Sequence, residues 1–516
     1  MEIKITRNSP LLWLLFPACL ILILIAYYPL ERSVLALRYP FQLDYAEGYI
    51  AAESWMITQG ESIYPPLSDY PYLVGNYPPV YPFLCAPFFL LFGASLFWGR
   101  LFCVISALGI CGVMIFIIWR KTRAVLPSLL APLIFINTYA LYEWIGYARV
   151  DLPAIFFSLL GLAFILESSD KGRLRWALVF FILSVYTKQV QFFAPLAACL
   201  YLFWRDKKIG LRFAAWFAGL VIGIFLVLCI CTKGEYYKHT VVYNANVFSW
   251  WQIKVWLRHV FLFHRYYLLL IILTSGFVFY KWFKEVKEIG AKSPDLFSIY
   301  AAVGALSFFT IGKVGAASNY LLEFYAALGL FFGLNVSRVF DRMQIVRKKI
   351  PALILIFFLA FLFNMHAFHL LTIKSALFSR PNPLRADWDQ GRLMLDIVRD
   401  YPDPILCEQP IFLILAGKKV VFQPFIMSQL HKESKWNQVG FIRDIRKKRF
   451  SLIMTGQDMF DPEIEHLWQY TEQMRNTIRD HYKPLFKEKS PDMKLLITSS
   501  VGIPYYIYIP RQVKDE

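Results

Sequence analysis

Charge is scarce in this sequence. Lys, Arg, Asp and Glu together make up 17% of its 516 residues, against roughly 25% in an ordinary soluble protein, and that shortage excludes a chain solvated by water along its whole length. The eight cysteines include no CxxC pair, and Cys19, Cys85, Cys103, Cys111, Cys199, Cys229 and Cys231 lie in or beside apolar stretches, with only Cys407 in charged surroundings. Neither a disulfide framework nor a cysteine metal site is implied. No small-residue cleavage site precedes the Glu31-Arg32 pair, so the apolar run Leu11 to Leu30 behind Lys4 and Arg7 reads as an uncleaved first span. The charged C-terminal part carries no GxGxxG or P-loop to suggest a nucleotide.

What is present is apolar length. Hydrophobic residues reach 58% and aromatics 18%, and stretches of the ~20 residues needed to cross about 30 Å of hydrocarbon recur along the first 370 positions. Candidate spans run near 11–30, 100–119, 126–142, 151–167, 174–186, 190–204, 211–231, 265–282, 297–312, 319–338 and 350–371. Basic residues cluster after alternate spans: Arg120, Lys121 and Arg123; Lys171, Arg173 and Arg175; Arg205, Lys207, Lys208 and Arg212; Lys281, Lys284, Lys287 and Lys292; Arg338, Arg342, Arg347, Lys348 and Lys349. That is the positive-inside pattern, so the formal net charge of +18 reports topology and not nucleic acid. Val80 to Phe97 is apolar enough to cross, yet crossing would put the Arg120–Arg123 cluster outside. With Pro78, Pro79, Pro82 and Pro87 it suits the outer interface better. The expected fold is an α-helical polytopic membrane protein of about 11 spans over residues 1–372, with a large first outer loop at 31–98. A small soluble α/β domain follows at 373–516 on the non-cytoplasmic side. Strand-like runs at PILCEQP, KKVVFQP, RFSLIMTG, DMKLLITSS and YYIYIP alternate there with helix-like stretches near 384–400, 410–416, 436–448 and 462–482.

With that orientation, the polar residues of the apolar part collect on the outer face. The first outer loop carries Asp44, Glu47 and Glu53, then a tyrosine- and proline-rich run with Tyr64, Tyr70, Tyr72, Tyr77 and Tyr81. Outer turns bring Arg149 and Asp151 (GYARVDLP), Lys188, Gln189 and Gln191 (YTKQVQ), and Lys313, Asn319 and Glu323 (IGKVGAASNYLLEFY). Ionisable residues at membrane depth are costly and so are functional candidates. Each also has a bland reading: Arg149 pairing with Asp151, Asp44 and Glu47 as one solvated helix face, Lys188 snorkelling, Lys313 as an ordinary loop lysine. Four such clusters on one face by accident is the less economical account. Cations at Arg149, Lys188 and Lys313 suit a lipid-linked phosphate, and a carboxylate beside them suits a base for an incoming hydroxyl or amine.

The acidic motif at Asp44 and Glu47, followed in order by GESIYP, YPPVYPF, FGASLFWGRL and YARVDLP, resembles the membrane glycosyltransferases of the C-type (GT-C) fold. That class includes protein mannosyltransferases and the aminoarabinose transferases of lipid A. The resemblance covers roughly residues 1–340. It implies an inverting transfer of a hexose or pentose from a polyprenyl-phosphate donor to a lipid, glycan or protein acceptor, in the plasma (inner) membrane with the active site facing outside or the periplasm. By motif position the catalytic base carries over to Asp44, with Glu47 as the other choice, because the usual adjacent Asp-Glu pair is spread here as DYAEG. Asn76 and Tyr77 stand before the double proline where relatives often have a charged residue. Arg149, Asp151, Lys188, Gln189, Lys313, Asn319, Glu323 and Tyr77 are the expected substrate- and phosphate-binding set. No cofactor is certain, and a divalent metal remains open because no His/Asp ligand set stands out. The alternative from another class is a transporter or flippase for lipid-linked glycans, which would place charges at mid-membrane and on both faces.

Overall fold

A computed structural model describes residues 10–166, 171–289, 295–345, 350–379, 382–461, 469–486, 490–497 and 504–512. Helices dominate as far as Thr372. Four of them, Trp13–Arg38, Leu96–Thr122, Lys207–Cys231 and Trp250–Gly276, are long and apolar enough to cross a membrane. Shorter apolar helices, Val125–Ile136, Asp151–Leu166, Phe193–Arg205 and Leu296–Gly312 among them, pack with these. Lys207–Cys231 presents Trp216, Ile222, Leu226 and Ile230 outward. A helix satisfies its own backbone groups, so an outward apolar side needs only lipid as solvent. The protein is an integral membrane protein.

Several sequence expectations change in detail. The run 80–97 is two elements: a helix Val80–Phe92 ends at Gly93, whose φ of +86° suits glycine, and Ser95 caps the next helix, Leu96–Thr122, by accepting from Phe97 N. The first of these is about 20 Å long at 1.5 Å per residue. The expected span 126–142 is broken at Asn137 and Thr138, where Thr138 Oγ1 caps a new helix, Tyr139–Trp144. The span expected at 265–282 belongs to a helix that starts at Trp250 and kinks at His264. Lys254, Arg258 and Arg265 hide its first half from hydropathy. Of the basic clusters, Lys292, Arg347, Lys348 and Lys349 lie outside the described residues.

After Thr372 the chain builds a four-stranded sheet ordered β1-β2-β4-β3, with β1 at Ile405–Cys407, β2 at Leu452–Thr455, β3 at Tyr482–Pro484 and β4 at Tyr506–Pro510. The β1–β2 pair is parallel and the other two are antiparallel. Helices Arg385–Asp400, Pro410–Leu415, Val439–Arg446 and Glu472–His481 flank it, giving the α/β character expected. Two expected strands are not in the sheet. In KKVVFQP only Phe422 pairs, as an isolated bridge to Tyr72, and the described part of DMKLLITSS is helical within Pro491–Ile497. Leu, Ile and Met serve a buried helix face as well as a strand, so a short apolar run alone does not decide.

The sheet region is bonded to the segment 31–98. Tyr72 N donates to Val421 O at 2.9 Å and Gln423 N to Tyr72 O at 3.0 Å. Gln423 Oε1 accepts from Val74 N at 3.1 Å and Gln42 Oε1 from Ile411 N at 3.1 Å. The Tyr49 hydroxyl donates to Glu408 O at 3.1 Å.

Candidate active site

The helix Tyr45–Thr58 starts the site. Asp44 is its N-cap: one oxygen, Oδ2, accepts from Ala46 N at 3.0 Å, and the Glu47 carboxylate returns to Asp44 N at 3.2 Å, completing a capping box. The two carboxylates then part company. Glu47 is fully buried and accepts from Leu43 N at 2.8 Å, Ala148 N at 2.7 Å, and both Nε and Nη2 of Arg100 at 2.8 Å. Arg100, also fully buried, spends its remaining donors on the carbonyls of Ala36, Tyr39 and Phe41. Burial alone would raise the Glu47 pKa, but Arg100 and these amides outweigh it and hold the carboxyl below its usual range. Asp44, in contrast, reaches a cavity of about 800 Å³. Its Oδ2 also accepts from Arg149 Nη1 at 3.1 Å, and its Oδ1 makes no hydrogen bond among the described residues. Burial, opposed by Arg149, raises its pKa, which moves a carboxylate toward the range useful for proton transfer near neutral pH.

Arg149 is placed by the turn before the helix Asp151–Leu166. It donates to the Tyr77 hydroxyl from Nη2 at 3.1 Å and stands 5.1 Å from the Trp144 ring centroid. Lys188, 3% exposed, follows the end of the helix Lys171–Thr187, with Nζ 2.6 Å from Asp151 Oδ1 and 4.1 Å from the centroid of Tyr320. Asn319 Nδ2 donates to the same Asp151 oxygen at 2.8 Å. Lys313 donates to Asn244 Oδ1, and Asn244 Nδ2 and Gln189 Nε2 both donate to Asn76 O, at 3.1 and 2.8 Å. Burial first, then the neighbouring Lys188, depresses the Lys313 pKa to about 8. Gly315, with φ of +87°, lets the Lys313 loop turn back over the cavity.

Of the expected set, Asp44, Tyr77, Arg149, Lys188, Gln189 and Lys313 line this one cavity. The other four do not. Glu47 lies in the Arg100 knot, Asp151 and Asn319 stand behind Lys188 and orient it, and Glu323 is buried against Tyr300, whose hydroxyl donates to it at 3.4 Å. The cavity also holds residues outside the expected set. Glu53 lines it at 7% exposure with no hydrogen bond among the described residues. Glu143 accepts from the Ser318 hydroxyl, which also accepts from Trp144 Nε1 at 2.6 Å. Asn244, Gln423 and Phe425 complete the wall. Asn244, itself without an ionisable side chain, follows the apolar helix Lys207–Cys231, and Gln423 and Phe425 belong to the sheet region, 379 and 381 residues after Asp44. Among the described residues no three His, Cys, Asp or Glu gather as a metal ligand set.

Part of the chain matches a family model, and the fold as a whole is similar to that of solved structures. Residues 76–231 match the family described as dolichyl-phosphate-mannose-protein mannosyltransferase. The fold is similar to that of ArnT from Cupriavidus metallidurans, solved with undecaprenyl phosphate, at a TM-score of 0.54 and 12% identity over 94% of this chain and 97% of that one. It is similar also to the Archaeoglobus fulgidus oligosaccharyltransferase tethered with an acceptor peptide, at 0.54 and 12% over 97% of this chain and 74% of that one. No curated protein matches the sequence.

Proposed function

We propose that the protein is an inverting glycosyltransferase that moves a sugar from a polyprenyl-phosphate donor to an acceptor on the non-cytoplasmic face of the membrane, with residues 373–516 as an outer domain closing the site. The observation that carries this reading is the free Oδ1 of Asp44 opening on the cavity that Arg149, Lys188 and Lys313 also line. Asp44 is the base. As the acceptor oxygen or nitrogen forms its bond to the anomeric carbon, the bond from that carbon to the phosphate oxygen breaks, the electron pair leaves with the phosphate, and the acceptor proton passes to Oδ1. One displacement inverts the anomeric centre. Lys188 and Arg149 hold the phosphate and neutralise the charge that grows on it, which in a water-poor cavity is worth more than in bulk. Asp151 and Asn319 fix Lys188, while Arg149 fixes Asp44 through Oδ2 and leaves Oδ1 for the acceptor. Glu47 is a positioning residue in this scheme. The step routes nothing through a metal.

The similar structures support the donor class through the lipid phosphates they hold, an undecaprenyl phosphate in ArnT and a dolichol-phosphate in the Archaeoglobus fulgidus oligosaccharyltransferase AglB. The test is transfer by the purified protein from a panel of polyprenyl-phosphate sugars. Wild type should transfer at least one of them, and Asp44→Asn should lose on the order of a hundredfold or more in kcat. Absence of transfer from every donor, together with movement of the lipid across a vesicle membrane, would replace the enzyme with a transporter.

A further inference from the structure

The helix Tyr45–Thr58 turns Tyr45, Tyr49 and Glu53 toward the cavity, at the i, i+4, i+8 spacing of one helix face. The two tyrosine hydroxyls are already engaged: Tyr45 Oη accepts from Phe425 N at 3.2 Å and Tyr49 Oη donates to Glu408 O at 3.1 Å. Their rings lie with centroids 5.1 Å apart. Glu53 is the polar group in this stripe with no partner. It is 7% exposed, its Oε2 is buried without a hydrogen bond, and no described residue bonds either oxygen. A carboxyl in that state contributes nothing to the fold and costs the burial of a polar group.

Resting on the transferase reading, we propose that Glu53 is the polar anchor of a saccharide subsite, binding sugar hydroxyls in the cavity while Tyr45 and Tyr49 face the ring. Burial raises the Glu53 pKa, with Arg149 opposing only in part, which favours the neutral carboxylic acid over the carboxylate. It offers one O–H donor and one C=O acceptor, the pattern that two neighbouring hydroxyls complement. Tyrosine rings and a hydrogen-bonding acid form a neutral surface that suits an uncharged sugar ring. Glu53 lies nine positions after Asp44, about 14 Å along the helix axis at 1.5 Å per residue. Helical side chains lean toward the N-terminus, which brings its carboxyl to within roughly a saccharide's reach of the base. The sugar held there is either the transferred one or the first residue of a glycan acceptor.

Glu53→Gln and Glu53→Leu separate the cases in the full-length protein, with Glu53→Met replacing the leucine variant if that does not fold. The amide keeps one donor and one acceptor without charge, so Glu53→Gln should hold both KM values within about threefold, while Glu53→Leu raises one of them tenfold or more. A raised KM for the lipid-linked sugar assigns the subsite to the donor, and a raised KM for the acceptor assigns it to the acceptor. Binding of sugar-free undecaprenyl phosphate should stay within twofold in both variants, and the thermal midpoint of Glu53→Leu should equal or exceed that of wild type. Unchanged KM for both substrates in Glu53→Leu, with wild type active, would overturn the subsite alone. Equal losses in Glu53→Gln and Glu53→Leu would overturn the neutral-acid assignment. Absence of any transfer by wild type would overturn the transferase reading and the subsite with it.

Discussion

Two regions three residues apart along the chain use carboxylate and arginine to opposite ends. In the Glu47–Arg100 knot every lone pair and donor is engaged inside the protein, both side chains are fully buried, and the pair is closed to any ligand. At the Asp44–Arg149 rim the same two residue types meet at 3.1 Å, but the aspartate side chain is 23% exposed and one oxygen stays open to a cavity. A buried pair with all partners present is a rigid joint, whereas a pair with an unspent acceptor has work left for a substrate. The knot fixes the helix that carries the rim: Glu47 and Asp44 share one capping box, and Ala148 N, bonded to Glu47, immediately precedes Arg149.

Breaking the knot should have the largest effect on folding. Glu47→Ala leaves Arg100 buried without its partner, a loss of about 3–5 kcal/mol. In urea or thermal melts this appears as a protein that does not survive purification or melts far below wild type. Glu47→Gln should fall between, since it keeps an acceptor but not the charge.

Pressing on the joint between the helix that carries both and the sheet region should cost less. A Cβ on Gly48 would stand 2.0 Å from Gln42 Oε1 and 2.9 Å from Pro410 Cδ. Gln42 ties the start of the helix, through the carbonyls of Asp44 and Tyr45, to Ile411 N of the sheet region. Gly48→Ala should therefore destabilise by roughly 1–3 kcal/mol and expose the link to limited proteolysis between the sheet region and the spans.

The rim should also be the part that feels pH. Lys313 holds an anion only while protonated, and its pKa is depressed to about 8, so affinity for undecaprenyl phosphate should be full near pH 6 and fall as pH rises through 8. Lys313→Arg, which stays charged, should flatten that fall. A binding curve that keeps its slope in Lys313→Arg would remove Lys313 from the phosphate site. The smallest effect is expected from the exposed Lys419–Glu61 pair: surface ion pairs contribute little, and Lys419→Ala should leave both melting and turnover unchanged.

The knot and the rim were unequally legible in the sequence. Asp44, Arg149, Lys188 and Lys313 stand out as charges at the ends of apolar runs, and topology alone puts them on one face. The division of labour between Asp44 and Glu47 does not stand out, because it depends on Arg100, 53 residues beyond Glu47 inside a span, and on backbone amides that no side-chain pattern records. Asp151 reads as a ligand by charge, yet its Oδ1 is taken by Lys188 and Asn319. Gln423 and Phe425 were hidden for another reason: a neutral residue becomes part of a site only when a distant segment docks, as Tyr72 and Val421 show here. In the sheet region three of the five strand-like runs became β1, β2 and β4, while β3, with Lys483 and Pro484, has no such run and is held by its pairing to β4.

The central claim is that Asp44 acts and Glu47 only holds it in place. The direct measurement is Asp44→Asn in purified protein, with single-turnover sugar transfer and undecaprenyl-phosphate binding followed on the same sample. The account predicts a rate reduced on the order of a hundredfold or more, with binding and the thermal midpoint close to wild type. A variant that transfers sugar at the wild-type rate, or one that loses transfer only because it no longer folds, would contradict it.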